Sequence, residues 1–522
     1  MSEESISKVR AEAVHTRAAK GGVISGVSFV MNLGLNLIQV PLLLRFWLQE
    51  TYGLWLSVSA LAALLTTLDG GHQLYVGNLL NRSYVEDRDV FRRTMASAVQ
   101  IASLTSAVQI ALTLVLCFSG LASRWLDIAQ QHSAEFALSV VIYTVGWIST
   151  GSVGAILVRV FIPTGYFVRS TLWALIARLA QFGAVAFAAC HGYSLVGTTL
   201  LFSGVVFTYN IAIYIDIRRL YPGLFPWWRG GDIKLGFRNF SRSSVVSVVS
   251  ILDLFSLQGV ILLVTGTLGA AVVPLFTTLR TVSNTALQGT GFLLNPIQPD
   301  LVRYHVQREG GKIGAVFAFF WCVTGAVING GMVAGLFFVE PLYHFWTRGK
   351  LEFDRTLFAW LAAAVLIRTL AAPVQNYLSA INHLRALFIT SVVRATLTVA
   401  GVVVLAPIWK LSGVGAALFA AEVVGSFLLP WLFVHTVLAG IGNGLGMAVP
   451  GKAVISTIFS CVALVGFVVN VWFWPWLVVV ILVALAVIAV VQWRSLLPDV
   501  QARALSVTRP LFGIRRVSAL AK

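Results

Sequence analysis

The sequence predicts an all-α polytopic membrane protein of about fourteen transmembrane helices, and three observations carry that expectation. Hydrophobic residues make up 58% of the chain and charged residues 11%, with a mean hydropathy of +0.86, whereas soluble proteins average about 25% charged residues. Apolar runs long enough to cross a hydrocarbon core of about 30 Å as helices recur along the whole length. Lys and Arg, finally, sort onto alternate connections between those runs. With the amino terminus inside, roughly 27 of the 37 basic residues fall in cytoplasmic connections, and the opposite orientation fails. The same sorting accounts for most of the +17 net charge. Because the bases are spread over short loops, nucleic acid is not expected as a partner.

Taken in order, residues 1–21 are polar, carry Lys8, Arg10, Arg17 and Lys20, and read as a cytoplasmic segment. The run that follows is too long for a signal-peptide core and stays as the first span. Spans are expected at 22–46, 52–80, 95–122, 136–158, 171–190 and 194–215, then at 243–266, 269–297, 313–338, 356–380, 386–408 and 412–437. Between the two sets lies a basic cytoplasmic linker, 216–242, too short to build a core of its own. A last pair at 452–473 and 475–493 (helices 13–14 within 452–493) precedes a basic cytoplasmic tail, 494–522. The four cysteines, Cys117, Cys190, Cys322 and Cys461, lack the close spacing of a metal or redox motif, so free thiols and no metal are expected.

Several spans carry polar stripes at helical spacing. In the first these are Ser25, Ser28, Asn32, Asn36 and Gln39, and in the second Thr66, Asp69 and Gln73. The seventh carries Ser243, Ser247, Ser250 and Gln258, and the eighth Thr277, Arg280, Thr281, Asn284 and Gln288. Hydrogen-bonding groups are costly against lipid and belong against a partner helix or a wet cavity. The stretch from Thr267 to Phe276 also echoes the turn between Arg45 and Trp55 about 220 residues earlier. Six helices separate equivalent elements, so both halves enter the membrane in the same direction and their pseudo-twofold lies along the membrane normal. The expected architecture is an N-lobe at 22–215 and a C-lobe at 243–437, six helices each with a cavity between them, plus the two C-terminal helices.

The segment running from Pro41 through Arg45, Glu50, Tyr52 and Gly53 to Trp55, followed by Leu68-Asp69-Gly70-Gly71, resembles the amino-terminal hairpin of the polysaccharide flippases. These are Wzx-type exporters in the superfamily that also holds lipid II flippases and multidrug cation antiporters. Trp47-Leu48-Gln49 stands where that family usually has Leu-Gly-Pro. The resemblance implies a flippase that moves a polyprenyl-pyrophosphate-linked oligosaccharide across the bacterial inner membrane by alternating access, for O-antigen or exopolysaccharide biosynthesis. It implies the stripes of spans 1, 2, 7 and 8 as cavity walls, and polysaccharide polymerase or assembly proteins as partners beside membrane lipids.

Charged residues within or at the ends of spans are the candidates for chemistry, since each costs about 2.5–3.5 kcal/mol at mid-bilayer on insertion scales. They are Arg45, Arg178, Arg280, Arg368, Arg394, Asp69, Asp253 and Glu422. Arg45 and Asp69, near helix ends, are the ones expected to be structural. Arg280 and Arg368 suit a pyrophosphate; Asn32, Asn36, Gln39, Gln258, Asn284 and Gln288 suit sugars. Asp69, Asp253 and Glu422 are the acids that could bind a proton or sodium ion if transport is coupled, and no other cofactor is expected. A cation-coupled multidrug exporter is disfavoured because embedded arginines outnumber acids. A glycan polymerase or ligase is disfavoured because the longest outer loop, 340–355, is short, so the chain is not expected to be an enzyme.

Three motifs read as structure. Gly446–Ala453 has nucleotide-loop spacing, but Ala453 replaces the magnesium-binding hydroxyl and no strand precedes it. Asp87-Arg-Asp89 reads as a charged loop. Gly331 and Gly335 read as a close-packing pair, and Pro41, Pro274, Pro373 and Pro430 as bends.

Overall fold

A computed structural model describes residues 26–28, 30–294, 298–441, 448–470 and 472–496, which form helices and connections without a strand. Among these residues eleven helices are long and apolar enough to span a membrane. They include α1 (Gly26–Phe46), α4 (Arg88–Phe118), α5 (Gln130–Phe161), α6 (Phe167–Cys190), α7 (Leu195–Leu220) and α9 (Ser244–Leu268). The remaining five are α11 (Gly310–Gly335), α12 (Arg355–Ala380), α13 (Leu384–Ala439), α14 (Pro450–Val469) and α15 (Trp474–Arg494). A bent pair, α2 (Gln49–Thr66) and α3 (Gly70–Glu86), makes a twelfth span.

The longest of these helices counts twice. At 1.5 Å per residue a straight helix of 56 residues would reach about 84 Å, far beyond a core of about 30 Å. It is broken at Lys410, with φ 52° and ψ −134°, close behind Pro407. By length alone the 22-residue α10 (Val273–Leu294) could also span, and with it the count among the described residues reaches the expected fourteen. The chain is a multi-pass membrane protein.

The chain divides into two compact units. The first takes Met1–Leu275 with Trp346–Lys350, and the second Phe276–Phe345 with Leu351–Lys522. Thus α9, which the internal repeat puts at the head of the second half, packs within the first unit.

The second expected span is not one helix. It bends by 52° across Thr67–Asp69, and threonine hydroxyls at the break bond back to carbonyls of the preceding turn. Thr66 Oγ1 donates to Ala62 O at 2.8 Å and Thr67 Oγ1 to Ala63 O at 2.7 Å. Gly71, just past the bend, lies so close to α9 that a Cβ would fall 2.3 Å from the Ser247 backbone. Gly53 makes a tighter approach, because a Cβ there would lie 1.8 Å from Ala270 O. Ala270 belongs to the short turn between α9 and α10, which opens at Gly269 with φ 91°. The two turns that resemble each other in sequence therefore meet. One helical turn on, Ser57 and Thr265 share a buried hydrogen bond at 2.8 Å.

The basic linker has structure of its own. Helix α8 (Ile233–Arg242) is capped by Asp232, which accepts from the amides of Lys234 and Leu235 at 2.9 and 3.2 Å. Asp232 also accepts from Arg93 Nη2 at 2.6 Å, and that guanidinium, with the capping amides, holds its carboxyl below the ordinary carboxylate range.

Three sequence expectations need correction. Extra Cβ atoms at Gly331 and Gly335 would meet nothing within 4 Å, so this pair is not a close-packing site; spacing fixes a shared face but not what lies opposite it. Pro274 stands at the second position of α10 and starts that helix rather than bending it, since its missing N–H is not needed there. Asp87 is a helix cap rather than part of a loop, accepting from the amides of Asp89 and Val90 at 2.7 and 3.3 Å. Within the nucleotide-loop look-alike, Pro450, Gly451 and Lys452 are helical; Gly446 lies outside the described residues.

Candidate substrate-binding cluster

In the second unit three helices bring charges together. Arg280 sits two turns into α10, half-buried, with its guanidinium carbon 5.7 Å from the centre of the Phe276 ring. Arg368 lies midway along α12 and keeps 36% of its side chain exposed. Its Nη1 is 3.9 Å from Oε1 of Glu422 on α13, whose side chain is only 14% exposed. Arg280 lies within electrostatic reach of both. The three charges leave a surplus of one positive charge inside a membrane protein.

The backbone around Glu422 explains part of this arrangement. Residues Glu422–Leu428 form a π-helical segment, in which hydrogen bonds run to the fifth rather than the fourth residue. Within it, the Ser426 carbonyl accepts from Gln375 Nε2 on α12 at 2.9 Å. Arg394 Nη1 also approaches Ser426 Oγ at 3.5 Å from the other arm of α13. Gly425 allows this contact, since a Cβ there would lie 2.6 Å from Arg394 Cβ. A partly exposed arginine beside a half-buried acid, with amides and hydroxyls around them, can hold an anion through paired charge-assisted bonds.

Of the other expected site residues, Asn284 is one turn beyond Arg280 on α10 and half-buried, while the Gln288 side chain lies outside those described. The rest belong to the first unit. Asn32 donates to its own helix at Ser28 O, 2.8 Å away, and Asn36 Oδ1 accepts from Arg178 Nη2 on α6 at 2.7 Å. Gln39, Gln258 and Asp253 are half-buried, the last two on α9, with Gln258 inside a second π-helical segment, Phe255–Gly259. Asp69 is fully buried at the α2–α3 bend. It accepts from Gln109 Nε2 on α4 at 3.4 Å, and Gln109 in turn accepts from Ser152 on α5 at 3.3 Å. Gln109, Ser152 and Ser426 escaped the sequence reading, whereas Gln375 shares a face with Arg368 in the sequence. A glutamine in the middle of an apolar run, as at Gln109, is the signal that could have found the first of them.

No family model and no curated protein matches the sequence. Solved structures do match. An inward-facing multidrug resistance MATE family transporter of the MOP superfamily aligns over 78% of this chain and 94% of its own, with a TM-score of 0.58 at 12% identity. The lipid II flippase MurJ, in an inward closed conformation, aligns over 94% and 99%, with a TM-score of 0.57 at 14% identity. A mutant of the Vibrio cholerae MATE transporter VcmN aligns over 82% and 98%, with a TM-score of 0.56 at 12% identity. The chain has the MOP transporter fold. These structures are of transporters and a flippase rather than enzymes.

Proposed function

We propose that this chain is a flippase that moves a polyprenyl-pyrophosphate-linked oligosaccharide across the cytoplasmic membrane by alternating access, for surface polysaccharide biosynthesis. The observation that carries the reading is the cationic surplus of Arg280, Arg368 and Glu422. Such a surplus suits an anionic headgroup better than a cationic drug, and a guanidinium pairs two phosphate oxygens where an ammonium offers only a point charge. Asn284 and Gln375 lie near enough along the same helices to offer amides to sugars. The resemblance of the first hairpin to polysaccharide flippases points the same way, and the fold shared with a lipid II flippase is compatible with it.

The test is glycan export measured beside membrane abundance. Arg280→Ala is expected to abolish export while the protein still inserts, and Arg280→Lys to retain part of it. Normal export from well-expressed Arg280→Ala sinks the assignment. If Arg280 is an ion-pair strut instead, Ala lowers abundance and a compensating change at Glu422 restores it. On this reading the chain sits in a bacterial inner membrane with both termini cytoplasmic, so a reporter active only outside, fused after Arg494, should stay silent.

A second reading, a cation-coupled multidrug exporter, draws on Asp69, an acid wholly removed from solvent within the span. Asp69→Asn separates the two, since drug efflux driven by an ion gradient would be lost while glycan export independent of the gradient would persist.

A further inference from the structure

We propose that α8 and the residues leading into it form a docking surface for anionic phospholipid headgroups. The inner face of α8 is fixed on α4 by contacts that leave little room. A Cβ at Gly236 would lie 2.6 Å from Ile101 Cγ1 and 3.0 Å from Ser97 O, and one at Gly231 2.8 Å from Gln100 Nε2. Ser97 Oγ accepts from the Asp232 amide at 2.8 Å, and Gln100 Nε2 donates to Trp228 O at 3.1 Å. These contacts fall within about the first four turns of α4, so α8 lies at the level where that span enters the membrane.

With one face so held, the other is presented in a fixed orientation. At 100° per residue Ile233 and Phe237 form an apolar edge, 46% and 50% exposed, and Lys234, Arg238 and Arg242 form the adjoining arc, all exposed. An apolar edge beside a cationic arc is how a helix lies in a membrane interface, its apolar side at the acyl boundary and its charges among headgroups. The edge continues into a lipid-facing surface, because exposed Leu104, Val108 and Val115 run along α4 from one turn beyond Ile101. The approach to α8 repeats the chemistry. Trp227 is buried in the core between α3, α4 and α7, while its neighbour Trp228 is 56% exposed. Arg218 lies over the Phe225 ring, 4.3 Å from its centre. Charge complementarity selects acidic lipid over zwitterionic lipid, and the apolar edge selects a lipid surface over a soluble acidic partner.

The test uses the full chain reconstituted in discs of phosphatidylcholine containing a minority of phosphatidylglycerol, with the lipid retained on the purified protein quantified by mass spectrometry. The wild type should retain phosphatidylglycerol above the bulk ratio. Lys234→Gln/Arg238→Gln/Arg242→Gln should lose that enrichment, its apparent affinity falling by about fivefold per cation removed. The pair Arg88→Gln/Arg92→Gln, exposed basic residues outside α8, should retain it. Equal retention by the triple variant, or equal loss from the control pair, overturns the proposal. Should the triple variant fail to fold, quenching by brominated lipids decides. The quenching lost between wild type and Trp228→Phe should be larger with brominated phosphatidylglycerol than with brominated phosphatidylcholine. Equal quenching, or quenching by neither, overturns it as well.

Discussion

Replacing Gly53 by alanine adds one methyl group where the structure leaves no room for it. The new Cβ would stand 1.8 Å from Ala270 O and 2.6 Å from the carbonyl carbon. Ordinary contact begins near 3.4 Å, so α2 and the turn after α9 must part by about 1.5 Å along that line. The obstacle is backbone and cannot rotate away. Separating the two also stretches the Ser57–Thr265 hydrogen bond, which lies one turn along the same contact. Overpacking of this kind costs about 1–3 kcal/mol, and an interhelical bond inside a membrane contributes roughly 0.6 kcal/mol. The matched control is Gly34 in α1, where a Cβ meets nothing within 4 Å and alanine should gain up to about 1 kcal/mol of helix propensity. The assay is the temperature at which detergent-solubilised protein loses its monodisperse elution. Gly53→Ala should fall by several degrees, at roughly 2–4 °C per kcal/mol for domains of about 200 residues, while Gly34→Ala should hold or rise. Equal midpoints for the two would refute the close approach of the turns.

Three further outcomes are expected. Glu422→Gln removes the acid that Arg368 and Arg280 face, so it should lower membrane abundance more than Arg368→Gln does, and the double variant should recover; quantitative blotting of membranes measures this. Asp232 has a depressed carboxyl pKa, so its contribution is complete above the ordinary value near 3.8 and is lost as pH falls through the lower folded value. Amide-exchange protection of α8 should thus hold from pH 7 to 4.5 and drop below, and Asp232→Asn should be weaker at neutral pH without that acid step. Gly331→Ala, in open space within a helix, should be neutral or stabilising by up to about 1 kcal/mol in the same thermal assay, where a packing glycine would give a loss.

Hydropathy and charge sorting made the spans legible because both follow from the cost of polar groups in lipid, a property each run carries by itself. The break at Lys410 showed for the same reason, being a polar residue between two apolar runs. The α2–α3 bend did not, since Thr66, Asp69 and Gln73 read as one continuous stripe and a stripe does not reveal that the axis turns. Helix α8 was hidden under its charges. The phase of Ile233, Phe237 and Phe240 would have exposed it, but they are too few to register as an apolar run. The meeting of Arg280 with Arg368 and Glu422 depends on helix neighbours that no local pattern encodes. Each was recognisable as costly, and which partner shared the cost was not.

The π-helical segments at Phe255–Gly259, Gly325–Asn329 and Glu422–Leu428 bear on how this chain compares with its relatives. A π turn holds one more residue than the α turn it replaces, so everything beyond it is carried on by about 1.5 Å and 100°. Losing a single residue there restores an ordinary helix and leaves the span intact. Alignments of related chains should therefore show one-residue gaps in the middle of these three spans, where gaps are otherwise least expected. Across such a gap, residues matched by position in the sequence will point in different directions. Polar side chains within and beyond these turns, Ser426 among them, are better paired between homologues by position in space than by column.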